Sequence, residues 1–426
     1  MKNIYRFFKF LILGILFSGF SIAQDYSNGI FILNEGQFGT SNASLSFLSA
    51  DGVLENDVYS NENPGLSLGD LAQGIGINGD NIYFVMNGSN KVIVANRLTL
   101  QYTETISTDI TSPRHIAFHD GKGYVTCWGD PGDPETSYVA VIDLETNEVE
   151  STIAVAEGPE RIINKDGKLY VAHKGGYGFG NSISVIDAAT EQVEIIEVGD
   201  VPDTMQIIGD KLYVICSGVP AWSGNETEAG IYEIDFLTNT VSSQFNFEMG
   251  EHPGFLAVDD ALLYYVLNSG VYKIDFSETT PEPTLVVQTT TAIPYGFNII
   301  DDKIYVADAV DYIANGSAFV YSIDGVLENT HTVGLIPNGF YKSEGEMGTI
   351  DQTLSQISIY PNPTSHEFYI DGKNISNVEI FDLTGKLVKS TQNVTSGINI
   401  QDLVKGIYIV KIQSGNNTIT KKIIIK

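Results

Sequence analysis

Apolar residues along this chain gather in short runs with an aromatic ring in second place. The runs are Ile30-Phe31-Ile32-Leu33, Ile82-Tyr83-Phe84-Val85, Gly123-Tyr124-Val125-Thr126, Leu169-Tyr170-Val171-Ala172, Leu212-Tyr213-Val214-Ile215, Leu263-Tyr264-Tyr265-Val266 and Ile304-Tyr305-Val306-Ala307. Each is too short for a helix and is bounded by turn residues, the mark of a buried strand. In five copies a proline stands eleven residues before the tyrosine: Pro113, Pro159, Pro202, Pro253 and Pro294. Steps of 41 to 52 residues between copies suit one four-stranded blade apiece and exceed a leucine-rich or ankyrin unit. The pattern predicts a β-propeller.

Each unit follows one order: a proline-led strand, a tight hairpin, the aromatic strand, a variable loop, a third strand ending near Asp, and a second hairpin into a fourth strand. First hairpins such as Asp120-Gly121-Lys122 and Asp301-Asp302-Lys303 use residues that tolerate tight turns. Strands within a blade alternate direction, so the regular hairpins share one face and the irregular loops share the other. The interval from tyrosine to third-strand acid is 11 residues between Tyr264 and Asp275 but 22 between Tyr213 and Asp235. Variable loops on a rigid scaffold are where function concentrates. Pro337-Asn338-Gly339-Phe340 repeats a proline-led strand with no aromatic strand after it, while Ile30-Phe31-Ile32-Leu33 has no proline-led partner. Joining the two completes a seventh blade and removes exposed edges. The second blade is irregular, with Ala72 where proline should stand.

Before the repeats, Lys2, Arg6 and Lys9, the apolar run Phe10 to Phe20, and Ser21-Ile22-Ala23 read as a secretory signal peptide over residues 1–23. No other stretch approaches the 18 apolar residues of a membrane helix. The propeller is assigned to 24–341, a polar connection to 342–356, and a second unit to 357–426. That unit has short alternating strands such as Ile357-Ser358-Ile359-Tyr360 and Gly406-Ile407-Tyr408-Ile409-Val410-Lys411-Ile412, with Gly and Asn turns. It predicts a small Ig-like β-sandwich. The fold class is therefore all-β.

The net charge of −30 is unevenly spread. Residues 24 to 354 hold 12 basic against 48 acidic side chains, about −36, while the second unit is basic. An acidic surface repels phosphate backbones and disfavours nucleic-acid binding. Cys127 and Cys216 each lie three residues past a repeat tyrosine, in different blades, too far apart for a disulfide. Both are expected to be small core residues.

Catalytic patterns dissolve on inspection. Gly74-Ile75-Gly76-Ile77-Asn78-Gly79 fits a dinucleotide pattern but precedes no helix, and Gly175-Gly176-Tyr177-Gly178-Phe179-Gly180 likewise runs into a strand. Of six histidines, His115, His173 and His252 fall on the variable face by register, without metal-ligand spacing. Aromatic residues are more telling. Trp128 and Trp222, the only tryptophans, lie in variable-face loops with Phe38, Tyr177, Phe179 and Tyr312, and the segments leading into blades add Phe255, Tyr295, Phe297 and Phe340. Polar groups Arg114, His115, Glu160, Arg161 and Asp203 accompany them. Amphipathic rings around a few convergent polar groups build small-molecule sites.

Pro361-Asn362-Pro363, Asp382-Leu383-Thr384-Gly385-Lys386, Gly406-Ile407-Tyr408 and the terminal Lys421-Lys422-Ile423-Ile424-Ile425-Lys426 closely resemble the type A sorting domain of the type IX secretion system. That resemblance implies export by the type IX machinery, removal of the tail, and surface attachment or release. Asn34-Glu35-Gly36-Gln37-Phe38-Gly39, Leu68-Gly69-Asp70-Leu71-Ala72-Gln73 and Ser112-Pro113-Arg114-His115-Ile116-Ala117 resemble YncE-like seven-bladed propellers of Bacteroidota surface proteins, across roughly residues 28 to 341. Some members bind cobalamin over a TonB-dependent transporter of the outer membrane, typically from a lipid anchor for which this chain lacks the cysteine. The resemblance implies a noncatalytic, secreted or surface-displayed protein holding a small ligand, with a cobalamin-like corrinoid as the leading choice.

The expected contacts are Arg114, His115, Trp128, Arg161, Tyr177, Phe179, Trp222, Tyr295, Phe297 and Tyr312, with no catalytic residue, no metal and no cofactor beyond a corrinoid ligand. One alternative is a propeller hydrolase of lactonase type, using His115, Glu160 and Asp203 from comparable positions in successive blades. The other is a surface protein that contacts polysaccharide or protein.

Overall fold

A computed structural model describes residues 26–130, 132–343 and 358–426, the last with short breaks at 361, 365, 372–374, 382–385, 393–396, 402 and 415–416. The signal segment, nearly all of the polar connection, and Pro361 and Asp382 to Gly385 of the sorting motifs lie outside the described residues. Among described residues, no helix is long and apolar enough to cross a membrane.

The described residues from 29 to 342 form seven antiparallel sheets of four strands. Their first strands are Ala72–Asn78, Pro113–His119, Pro159–Lys165, Pro202–Ile208, Gly254–Asp259, Pro294–Ile300 and Pro337–Lys342. The last of these pairs with Gly29–Asn34, matching Phe31 to Tyr341 and Leu33 to Gly339. One sheet is thus built from both ends of the unit, as the unpartnered strands of the sequence implied. First strands of successive sheets pack side by side, and Pro337–Lys342 packs against both Pro294–Ile300 and Ala72–Asn78.

The aromatic strands show why the runs are apolar on every residue. Their side chains alternate between two layers, one against the preceding sheet and one against the next. In Lys168–His173, Leu169 and Val171 join the layer with Val139 and Val141, while Tyr170 and Ala172 join the layer with Leu212 and Val214. Tyr83, Tyr213 and Tyr264 each face the following sheet in the same way. Tyr305 reaches Ile30 and Ile32, so the layers run round from the last sheet to the first. Full burial of each such side chain contributes roughly 1.5–3 kcal/mol. Cys127 and Cys216 are free and buried within these layers.

The glycine motif at 74–79 is explained by this packing. A Cβ on Gly74 would stand 2.6 Å from His115 Nδ1, and one on Gly76 would stand 2.5 Å from Ile116. Both glycines let the neighbouring first strand approach. Among its described residues, the second unit has a three-stranded sheet and a four-stranded sheet. Phe368 and Ile398 of the first pack with Val378, Ile380, Val410, Ile412 and Ile423 of the second in one core.

Candidate functional site

At the start of each first strand the chain does something irregular. Pro113, Pro159 and Pro202 pair with the last residue of their second strands, Cys127, His173 and Cys216, and regular pairing resumes only three residues later. Ala72, Gly254 and Pro294 are followed by a shorter register shift. Such bulges release side chains from the ladder and re-aim them. The residue before the strand adds a turn: Leu71, Ser112, Val201 and Ile336 take left-handed φ of 50 to 58°. For branched Val201 and Ile336 this is a costly conformation, of the kind that collects at functional sites. It is held by backbone bonds from the end of each second strand, such as Trp128 N–H to the Ser112 carbonyl and Ser217 N–H to the Val201 carbonyl.

Bulged residues therefore converge. Gln73, Arg114, Glu160, Asp203, Tyr295 and Asn338, from the bulges of six sheets, and Gly254 and Phe255 from the seventh line a chamber of about 270 Å³. A second ring comes from the residue just past the second strands, with Glu35, Lys174 and Ser217 in the wall. His115, Arg161, His252 and Pro253 complete it.

Ion pairs bridge adjacent sheets across this wall. Arg114 grips Glu160 in a fork, Nε to Oε2 at 3.0 Å and Nη2 to Oε1 at 2.8 Å. Arg161 Nε lies 3.4 Å from Asp203 Oδ1, and Lys174 Nζ donates to Asp203 Oδ2 at 2.8 Å. Burial alone would push the Glu160 carboxyl up, but Arg114 and His115 outweigh it and hold it well below the usual carboxylate range. Lys174 and Arg161 do the same for Asp203 against its burial. Burial and the Arg161 charge push the His115 imidazole down to about 4, leaving it neutral at pH 7. Across the chamber, burial dominates at Glu35 and pushes its carboxyl up, against Arg114 and hydrogen bonds with Tyr295, Gln73 and Asn338. Among described residues, no group of three or more His, Cys, Asp or Glu is placed to hold a metal ion.

An aromatic ledge adjoins the chamber. The Arg114 guanidinium lies 4.2 Å over the Trp128 ring, and Trp128 meets the Tyr177 ring edge-on at 5.4 Å. Phe179 and Trp222, from loops of successive sheets, approach at 5.8 Å. Tyr177 and Trp222 are 72 and 82 % exposed. Gly158 and Gly175-Gly176 allow the Tyr177 loop to sit down, since a Cβ on Gly158 would collide with Gly176 N at 1.9 Å.

Residues 28–300 match the family model described as "Domain of unknown function (DUF5074)", and residues 358–426 match the secretion system C-terminal sorting domain. The chain belongs to the DUF5074 family. Its sorting domain makes it a secreted, cell-surface protein handled by type IX secretion machinery. No curated protein matches it. Among solved structures it is similar to a hypothetical selenium-binding protein from Sulfolobus tokodaii (9 % identity, TM-score 0.57, covering 76 % of this chain and 95 % of that one). It is also similar to a quinonprotein alcohol dehydrogenase-like protein from Bacteroides thetaiotaomicron (15 %, 0.54, 75 % and 79 %). A third is a provisionally named 6-phosphogluconolactonase from Bacteroides uniformis (13 %, 0.53, 74 % and 99 %). At these identities the likeness is one of fold, β-propeller-like and all-β.

Within this DUF5074 chain the structure divides the residues singled out from sequence. Arg114, His115, Arg161 and Tyr295 line the chamber. Trp128, Tyr177, Phe179 and Trp222 form the ledge. Tyr312 stands edge-on to Tyr295 at 5.6 Å, on the other side. Phe297 lies apart: it packs in the apolar layer with Tyr264 and Val306, because two residues further along the strand the bulge has ended and regular alternation has resumed. His173 also turns inward, fully buried and 2.7 Å from Ser184 Oγ. Sequence reasoning passed over Lys174, and quoted Glu35, Gln73 and Asn338 only within motifs. A signal was present in the column of residues after each repeat proline and in the column four past each repeat tyrosine.

Proposed function

We propose that this is a seven-bladed, YncE-like propeller with an Ig-like sorting tail, exported to the cell surface, that captures a small ligand on its loop face without chemical change. The observation that carries the reading is the ring of bulged polar residues, contributed by six of the seven sheets, opening beside the exposed rings of Tyr177, Phe179 and Trp222. Fixed polar groups orient a ligand, and broad exposed rings supply contact area at low entropic cost. Most charges of the chamber are already spent on one another as ion pairs, which suits recognition better than proton transfer. A cobalamin-like corrinoid, a flat macrocycle fringed with polar arms, is the best single ligand for this combination. Its ring is too large for the chamber and would lie on the ledge, with an arm reaching inward. Delivery to a TonB-dependent transporter would follow naturally from such a role.

Calorimetry of the purified protein with cyanocobalamin tests this. Saturable heat at micromolar concentrations is expected, and Trp222→Ala combined with Tyr177→Ala should weaken binding at least tenfold, each lost aromatic contact being worth about 1 kcal/mol or more. Absence of heat at those concentrations sinks the corrinoid assignment.

A lactonase-type hydrolase is the second reading, and one observation favours it: the neutral His115 imidazole lies 3.8 Å from Glu160 at the chamber wall. Turnover of a small lactone that disappears in His115→Gln would establish it in place of passive binding.

A further inference from the structure

The charges on one wall of the chamber do not cancel. Arg114 is matched by Glu160 in its fork, whereas Arg161 and Lys174 share a single carboxylate, Asp203. Neighbouring cations keep both carboxyls ionised, so on this wall three cations face two anions, while the third carboxyl, Glu35, stands on the facing wall, where burial shifts it toward its neutral form. That surplus sits where a ligand reaches it. The Arg161 and Lys174 side chains are 30 and 42 % exposed, against 13 % for the Asp203 between them. Their N–H groups also outnumber what one carboxylate accepts. Residues 24 to 354 as a whole carry the opposite sign, about −36. A cationic recess in an acidic surface, walled by low-dielectric protein, concentrates the field on one spot. Facing it are Glu35, Tyr295 and Asn338, with Asn338 Nδ2 donating to the Ala72 carbonyl at 2.7 Å and lying 3.4 Å from Glu35 Oε2.

We infer that the chamber seats a small oxyanion, a carboxylate or phosphate group of the ligand, between Arg161 and Lys174, with polar neutral atoms turned toward Tyr295 and Asn338. This rests on the loop-face binding proposed above and names the group by which the ligand is anchored. A guanidinium beside an ammonium offers charge-assisted donors in the arrangement that oxyanions accept. About 270 Å³ admits such a group with a short carbon chain.

The test is calorimetric titration of the purified full chain with inorganic phosphate and with succinate, using the neutral diamide succinamide as control. Binding of either anion at millimolar concentrations or below is expected, weakening as sodium chloride rises from 50 to 500 mM, with the diamide silent. Heat from phosphate alone points to a phosphate-bearing ligand, and heat from succinate alone to a carboxylate. Lys174→Gln should reduce anion affinity about tenfold, and Lys174→Arg should retain it. If Lys174→Gln fails to fold, the salt dependence and the diamide control on the unaltered protein decide the matter. Silence from both anions, equal binding of the diamide, or insensitivity to salt overturns the inference. Heat from cyanocobalamin with silence from both anions would leave the corrinoid reading standing and remove this one. The reverse result would do the opposite.

Discussion

The same inner strands end in two different chambers. On the loop face they close around the ion pairs of Arg114, Glu160, Arg161, Lys174 and Asp203. Toward the hairpin face they enclose about 390 Å³ lined by Ile75, Ile77, Ile116, Phe118, Val258, Ile299, Ile300 and Phe340, with Gln206, Asn298, Asp301 and Lys342 among them. Sequence composition alone does not separate the two, since both come from strands of seven residues or fewer. The separation is made by the bulge. Where the ladder is regular, side chains alternate and apolar ones fill the space between strands. Where two residues slip out of register, polar side chains are released toward the axis. The polar chamber is thus created by a local failure of the geometry that builds the rest.

The largest expected effect comes from breaking the polar end. Glu160→Ala strands the Arg114 guanidinium, whose partner is 5 % exposed, and should lower stability by about 3–5 kcal/mol. The double change Arg114→Met with Glu160→Leu should recover most of that loss, because a buried pair replaced by apolar groups is close to neutral. Urea unfolding of both variants checks this. Failure of the double variant to recover would mean that the pair is needed for the bulge itself.

Acid should act on the polar end next. His115, facing Glu160, Arg114 and Arg161, is pushed down to about 4 from an ordinary 6.5. Burial does the same to His173, which faces Ser184 and the backbone of Ala156 and Glu157. A depressed folded value means that the unfolded chain takes up the proton first. The histidine contribution to stability is therefore complete well above pH 6.5 and declines toward pH 4, opposed in part by Glu35, whose raised value favours the folded state as it takes up a proton. Below that, Glu160 and Asp203, whose folded values are lowered, add their own loss as they are protonated. Unfolding midpoints between pH 8 and 4 should show the slope, and His173→Asn should flatten part of it.

At the apolar end the effects are smaller and separate from binding. Ile77→Val, at a 7 % exposed position, should cost about 1 kcal/mol and leave ligand titrations unchanged. Tyr170→Phe should be nearly neutral, since its buried hydroxyl finds no hydrogen-bond partner among the described residues. A loss above about 2 kcal/mol would reveal a partner for that hydroxyl.

Much of the fold could be read along the chain. The aromatic runs marked second strands because a strand buried on both faces must be apolar on every residue, and the unpaired strands at either end of the unit told where the first sheet would be completed. The site was half legible. Arg114, His115, Arg161 and Tyr295 were reached through their closeness to the repeat prolines, but Phe297 was carried along by the same rule. Lys174 and Glu35 were missed because they join the chamber from the far end of the second strand, and only the packing of sheets brings that column beside the first. The glycine motifs misled for a related reason. Sequence shows that glycine is needed, but not whether a nucleotide or, as at Gly74, a neighbouring imidazole takes the space.

The sequence by itself determined the strands, their order within each sheet and the export tail, because these depend on local periodicity and turn chemistry. Tertiary structure alone decided which polar residues meet, that two cations share one carboxylate, and that Tyr177 and Trp222 stand open beside them. Charge balance is a property of distances of a few ångströms between sheets, and residues 46 positions apart, such as Arg114 and Glu160, acquire it only when the strands are laid side by side.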